Sequence, residues 1–271
     1  MGRCIAIALR EQGYEVLSTS RTPNPELDVV HMDVRDAQSC VQALKGIDTV
    51  IHMGFYMKND KFREEIVPTN IVGTYNLYEA ARINNVKRVI FGSSNHAVGF
   101  YKQTDELRDD IMHRADSPYG LAKCFCELCG RYYSDRYGIS VINVRIGTFS
   151  HDGLPYSLRR TKTWLSYADT QQLFLKCVEA DSSHKFLTIY GVSNNDGGYF
   201  DISGLEDLIG YVPKENGADH MEHALSVNRM DGIDDCAFLG GEYVLFDAGR
   251  EDFALEDMGS LLRAHGVVAE D

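Results

Sequence analysis

The stretch Lys87-Arg-Val-Ile-Phe-Gly-Ser-Ser-Asn-His96 decides how the rest of the chain is read. Val89, Ile90 and Phe91 are consecutive apolar residues of the β-branched and aromatic kind, closed by Gly92. They predict a buried strand over Lys87–Phe91. The strand runs into hydroxyls, an amide and an imidazole at its C-terminal end, which is where doubly wound parallel sheets bind ligands. On these residues alone, Ser93 and Ser94 are better explained as ordinary turn residues.

Working outward, Ser117 to Tyr137 has the signature of a long helix, with Ser117 as N-cap and Pro118 at the first helical position. A strand, Val141–Val144, follows. Upstream, the spacing predicts a helix over Asn70–Asn84, a buried strand over Asp48–Met53 and a helix over Ala37–Leu44. Strands are expected over Asp28–Met32 and Tyr14–Thr19, and a first helix over Arg3–Gln12 capped by Gly13. Strands alternating with helices imply an α/β, Rossmann-like, doubly wound parallel sheet with helices on both faces. After Ile146 the loops lengthen. A helix over Asp169–Ala180, a strand over Phe186–Tyr190 and a strand-like run over 242–247 are expected there. Residues 1–147 are thus assigned to a dinucleotide-binding core and 148–247 to a small substrate-binding elaboration. Residues 248–271 form an acidic tail, helical over Leu255–His265.

Tyr119 and Lys123 lie four apart on one helix face. A tyrosine is a poor base at neutral pH, and a nearby ammonium favours its phenolate. The pair therefore makes a proton acceptor for an alcohol that loses hydride, and Ser94, 25 positions before Tyr119, could hydrogen-bond the reacting oxygen.

The net charge of −13 over 271 residues opposes nucleic acid or an anionic membrane as partner. Seven scattered cysteines suggest free thiols in a reducing cytoplasm. Cys124, Cys126 and Cys129 read as small buried thiols of a core helix, without a second ligand cluster to make a metal site. No Walker loop, nucleophile elbow or zinc-hydrolase motif is present.

The order strand, Ser93-Ser94, Tyr119-Gly-Leu-Ala-Lys123, then a strand ending Arg145-Ile-Gly-Thr148 resembles the extended short-chain dehydrogenases of the epimerase/dehydratase superfamily. Three longer blocks, FGSSNHAVGFY (91–101), RRTKTWLSYAD (159–169) and GVSNNDGGYFD (191–201), resemble the uronate dehydrogenases in particular. The likeness runs from Gly2 to about Asp247. It implies that Tyr119 is the catalytic base, Lys123 its partner and a ribose ligand, and Ser94 the polariser of the substrate oxygen. It also implies that Asn95 and His96 bind sugar hydroxyls, that Thr148 lies near the substrate, and that Arg159 clamps a carboxylate as a guanidinium fork can. His96 satisfying a loop carbonyl, and Arg159 standing in a solvated basic loop beside Arg160 and Lys162, remain open alternatives. Where the family holds the sugar with a small polar residue, this chain has Met57, so a more apolar pocket is expected.

For the cofactor, the resemblance places Asp33 and Val34 near the adenine. His52, Met53 and Gly54 lie under the adenosine, Asn70 near the cofactor or as a helix cap, and Gly2, Ile146, Tyr119 and Lys123 along its length. At the end of the second strand an NAD enzyme usually carries an acidic residue for the ribose. Here Arg21 follows Ser18-Thr19-Ser20, which suits a 2′-phosphate, so NADP is expected over NAD, against a family that is largely NAD-dependent; Arg21 as a solvated loop residue is the open alternative. The family opens with a strand and a glycine-rich turn, of which only the last glycine, Gly2, stands here. A chain starting at Met1 is therefore expected to bind its cofactor weakly and to be less stable. The combined expectation is NAD(P)-dependent oxidation of a sugar acid at C1 to an aldarolactone, by a cytoplasmic enzyme that could be a homo-oligomer. A neutral-sugar dehydrogenase, a nucleotide-sugar epimerase or dehydratase, and a non-catalytic binding protein are the alternatives. Too little chain follows Ile146 for the usual nucleotide-sugar domain, and an intact Ser94, Tyr119 and Lys123 argues against loss of catalysis.

Overall fold

The computed structural model of the chain describes residues 1–105, 107–108, 110–227 and 238–245. Strands β3 (Thr49–His52), β4 (Arg88–Ser94), β5 (Ser140–Ile146) and β6 (Phe186–Gly191) pair in that order, all parallel. The register aligns Ile51 with Ile90, Ile90 with Ile142 and Ile142 with Leu187. A separate parallel pair joins β1 (Ser18–Ser20) to β2 (Val29–His31).

Alternating side chains of the central strands feed two cores, as the two-residue period of a strand requires. Ile90, Ile142 and Val144 pack with Ile5 and Leu9 of α1 (Gly2–Glu11) and with Leu173, Phe174 and Cys177 of α6 (Tyr167–Glu179). Val89 and Val141 face the other way. They join Cys40 of α2 (Ala37–Ala43), Leu77 and Ala80 of α3 (Gly73–Ile83), and Cys129 and Tyr133 of α4 (Pro118–Tyr137). The chain is thus an α/β, Rossmann-like fold with helices on both faces of a parallel sheet. Among the described residues no helix is long and apolar enough to cross a membrane.

Several elements depart from the sequence expectation. The helix expected from Asn70 begins earlier, as a π-helical run Phe62–Val72 that leads into α3. Pro68 lies within it and cannot donate a backbone bond, and the Gly73 N–H reaches five residues back to the Pro68 carbonyl. β4 and β5 run longer than expected because Gly92, Ser93 and Ser94 go on pairing with Val144, Arg145 and Ile146. β1 starts only at Ser18. Of the run at 242–247, expected as a strand, residues 242–245 belong instead to a 3-10 turn over Gly241–Leu245 that starts on Gly241 at a positive φ of 57°, and 246–247 lie outside the described residues. The helix expected at Leu255–His265 lies outside the described residues. Short helices α5 (Leu158–Thr163), α7 (Leu205–Ile209) and α8 (Met221–Val227) were not expected from periodicity.

The two sheets do not pair with each other. Between them lies a cavity of about 1300 Å³, lined by Ser18 and Val29 on one side and Val50 and Ile51 on the other, with Gly2, Arg21 and Gly54 also in its lining.

Candidate active site

β4 ends at Ser94, whose hydroxyl accepts the His96 N–H at 3.3 Å and so starts the 3-10 turn Asn95–Val98. α4 is launched by Ser117, whose hydroxyl accepts the Gly120 N–H at 3.1 Å. A Cβ at Gly120 would stand 2.3 Å from the His96 carbonyl oxygen, so glycine lets the first turn of α4 lie directly on the 95–98 turn. That approach brings the Tyr119 phenol beside the Ser94 hydroxyl. The Asn59 side chain accepts the Tyr119 N–H at 3.0 Å.

Tyr119 is 7% exposed and Lys123 is 4% exposed. Burial pushes the Tyr119 phenol above its ordinary range, opposed by the neighbouring Ser94 hydroxyl, which lowers it. Burial brings the Lys123 ammonium down to about 7, opposed by the nearby Cys126 and Glu127. Lys123 Nζ donates to the Gly92 carbonyl at 2.6 Å and lies 5.3 Å from the Tyr119 ring centroid. The structure thus gathers Ser94, Tyr119 and Lys123 at the C-terminal end of a central strand.

The neighbouring residues close around them. Asn95 is buried, and its Oδ1 accepts the Ser94 hydroxyl at 3.3 Å. His96 stands 5.7 Å from the Tyr119 ring in a T-shaped contact, stacks on Tyr243 at 3.9 Å, and pairs through Nδ1 with Asp116 at 2.7 Å. Arg159 is 3% exposed and not in a solvated loop. Its Nη1 donates to the Leu239 carbonyl at 2.8 Å, and a Cβ at Gly241 would stand 2.5 Å from its Nε. The turn 239–243 therefore connects Arg159 to His96. Thr148 is buried and bonded to the Thr163 hydroxyl at 2.9 Å, just beyond Ile146 at the end of β5. Met57 is 67% exposed, in contrast to the buried Asn95, Arg159 and Thr148.

The expected cofactor residues Gly2, Arg21, Asp33, Val34, His52, Met53 and Gly54 all line the cavity between the sheets. Three features fit a dinucleotide there. Around Gly2 and Gly54 a Cβ would meet no atom closer than 4.0 and 3.8 Å, leaving backbone open to a ligand at the N-terminus of α1. His52 Nε2 is buried with no hydrogen-bond partner among the described residues. Burial first, and the Lys123 charge second, hold that imidazole down to about 3 and therefore neutral. The volume exceeds the roughly 300–1000 Å³ usual for ligand pockets, since the space between the sheets adds to it. Asp33 is already engaged by Arg35, whose hydrogen bonds, opposed in part by burial, hold the carboxyl down to about 2. Val34 packs under α3, where a Cβ at Gly73 would stand 2.7 Å away. Asn70 is not a helix cap. It is buried, accepts the Tyr56 N–H at 2.8 Å and donates to the Tyr56 carbonyl at 3.0 Å, so it pins the loop after β3.

Four residues of the site were not anticipated. Phe55 covers Lys123, with Nζ 3.6 Å from its ring centroid. Glu127 lies beneath the site, and it accepts from His113 at 2.8 Å, from Arg145 at 2.9 and 3.1 Å, and from Ser93. Burial alone would raise its carboxyl, but these partners outweigh burial and hold it at about 2. Glu127 stands four residues after Lys123, so helical spacing could have pointed to it. Asp116 and Tyr243 carried no local signal. Cys124 and Cys126 are buried and bond to backbone carbonyls of Ala97 and Asn70.

Residues 1–162 match the model of the NAD-dependent epimerase/dehydratase family. A uronate dehydrogenase from Pseudomonas putida is 36% identical over 82% of this chain and 81% of its own. A protein from Haloferax volcanii named L-arabinose 1-dehydrogenase (NAD(P)+) is 31% identical over 82% of this chain and 95% of its own. Among solved structures, uronate dehydrogenase from Agrobacterium tumefaciens complexed with NAD is 33% identical, with a TM-score of 0.82 over 92% of this chain and 95% of that one. With these similarities beside a parallel sheet that ends at Ser94, Tyr119 and Lys123, the chain belongs to the NAD-dependent epimerase/dehydratase family.

Proposed function

We propose that the chain is an NAD(P)-dependent dehydrogenase that oxidises a sugar acid, a uronate, at C1 to an aldarolactone. The observation that carries this reading is the meeting of Ser94, Tyr119 and Lys123 in one buried cluster beside the cavity that suits a dinucleotide. Bound cofactor supplies the hydride acceptor. Tyr119 takes the proton of the C1 hydroxyl, and the Ser94 hydroxyl beside it would steady the oxygen as it becomes a carbonyl. The Lys123 ammonium lowers the cost of the phenolate. Asn95, His96 and Thr148 would hold the sugar, and Arg159 would orient its carboxylate as a planar fork.

The similarity to uronate dehydrogenases supports the acid substrate. A neutral-sugar reading is favoured by the Arg159 guanidinium being bonded to the Leu239 carbonyl and by the arabinose-named relative. Arg21, at the end of β1, favours a 2′-phosphate and hence NADP, whereas the NAD-bound relative favours NAD. The test is a panel of uronic acids, neutral aldoses and sugar phosphates with each dinucleotide, followed by the absorbance of the reduced cofactor. Uronates are expected to turn over, and Tyr119→Phe to abolish the reaction. Undiminished turnover by Tyr119→Phe would defeat the assignment of the base, and turnover of neutral aldoses alone would defeat the acid substrate.

A further inference from the structure

We propose that Asp116 is a positioning residue. It keeps the His96 proton on Nδ1, so that Nε2 meets the substrate as a hydrogen-bond acceptor and selects a ligand with a hydroxyl at that point. The inference rests on the reading that a sugar occupies the space beside Tyr119.

The Asp116 side chain is fully buried. One carboxylate oxygen lies 2.7 Å from His96 Nδ1, and the other accepts the Ser117 hydroxyl at 2.7 Å. Backbone walls it on three sides. A Cβ would stand 1.7 Å from Oδ2 at Gly99, 2.0 Å from Oδ2 at Gly240 and 3.0 Å from Oδ1 at Gly120. Those walls leave the carboxylate one orientation. An ionised carboxylate only accepts hydrogen bonds, so Nδ1 of His96 must be the donor. In the neutral imidazole the lone pair then sits on Nε2.

The ring itself is fixed. Tyr243 stacks on one face at 3.9 Å, and Tyr119 meets it in a T-shaped contact at 5.7 Å. The Nε2 atom makes no hydrogen bond with any described residue. An acceptor held beside the catalytic phenol pairs with an O–H. A carboxylate or phosphate would bring lone pair against lone pair there. The acidic group of the substrate is therefore directed away from His96, and a sugar hydroxyl is directed to it.

The tautomer can be read without any activity assay. The full chain labelled with nitrogen-15 in histidine would give two-bond proton–nitrogen correlations at about pH 7.5. His96 is assigned by the signal lost in His96→Gln. The expected result is a protonated Nδ1 and a bare Nε2. A protonated Nε2, as the other tautomer or as imidazolium, would overturn the proposal. In Asp116→Asn the amide can face His96 with its N–H, so the proton should shift to Nε2. KM for the sugar should then rise about tenfold while kcat changes less than about threefold. An unchanged His96 spectrum and KM in a folded Asp116→Asn variant would also overturn the proposal. If that variant does not fold, the wild-type spectrum decides alone. If no sugar is turned over, the proposed function fails while the spectrum still settles the tautomer.

Discussion

The Lys123 ammonium lies 3.6 Å from the centroid of the Phe55 ring, and the same ring meets Tyr119 edge-on at 5.6 Å. Phe55 lines the cavity between the sheets, whereas Lys123 and Tyr119 do not, so on the proposed function the ring stands between that pair and the dinucleotide. A ribose that reaches Lys123 has to displace it and forfeit a buried cation–π contact, worth about 1–2 kcal/mol. Phe55→Ala is therefore expected to tighten NAD binding about tenfold in a fluorescence titration. Weaker binding by the variant would mean that the ring supports the cofactor instead of screening the lysine.

Burying Lys123 is costly while it is charged. Its value in the folded chain is brought down by burial to about 7 from an ordinary 10.5. Between those two pH values the unfolded chain holds more protons, so the wild-type protein gains stability as pH rises from 7 to 10.5. Lys123→Met lacks this slope. It is expected to be inactive, yet more stable than wild type by about 3 kcal/mol at pH 7, with the advantage fading towards pH 10. Urea unfolding at several pH values measures both, and a variant less stable at every pH would refute the prediction.

The sheet and the gathering of Ser94, Tyr119 and Lys123 at its end were legible because strand patterning and helix caps are local. The 87–91 run, the Ser117-Pro118 start and the Tyr119/Lys123 spacing each carry their meaning within a few residues. What sequence left hidden depends on distant partners. Asp116 matters through Gly240, and His96 through Tyr243, more than a hundred positions away. The 3-10 turn at 241–245 hides behind a strand-like run of apolar residues because its direction is set by Gly241 packing on Arg159. Asn70 lacked a local signal as well, since its partner is the Tyr56 backbone fourteen positions back.

Glu127 holds the underside of the site by an ion pair with Arg145, and both residues are buried. Glu127→Gln would remove one carboxylate charge from a buried guanidinium, a loss of about 3 kcal/mol at neutral pH. The carboxyl is held at about 2 against an ordinary 4.5. Its contribution is complete above the ordinary value and is lost as pH falls from 4.5 to 2. Wild type should therefore lose its lead over the variant across that window in chemical unfolding. A lead that persists at pH 2 would show that the carboxylate's charge is not what stabilises the fold.

Gly120 sets the distance between α4 and the turn after β4. A Cβ there would stand 2.3 Å from the His96 carbonyl oxygen and 3.0 Å from Asp116 Oδ1, and both atoms are held by their surroundings. Alanine is the better helix former by about 1 kcal/mol, so an isolated helix would gain from the change. In this fold the first turn of α4 must instead move outward, carrying Tyr119 away from Ser94. Gly120→Ala is expected to lower stability by about 2 kcal/mol, as overpacking does. It should also cut kcat about a hundredfold, the cost of displacing a catalytic group by an ångström. A thermal melt and an initial-rate assay test the two parts separately. Retained kcat in a destabilised protein would mean that Tyr119 keeps its place by other contacts, the Asn59 bond to its backbone first among them.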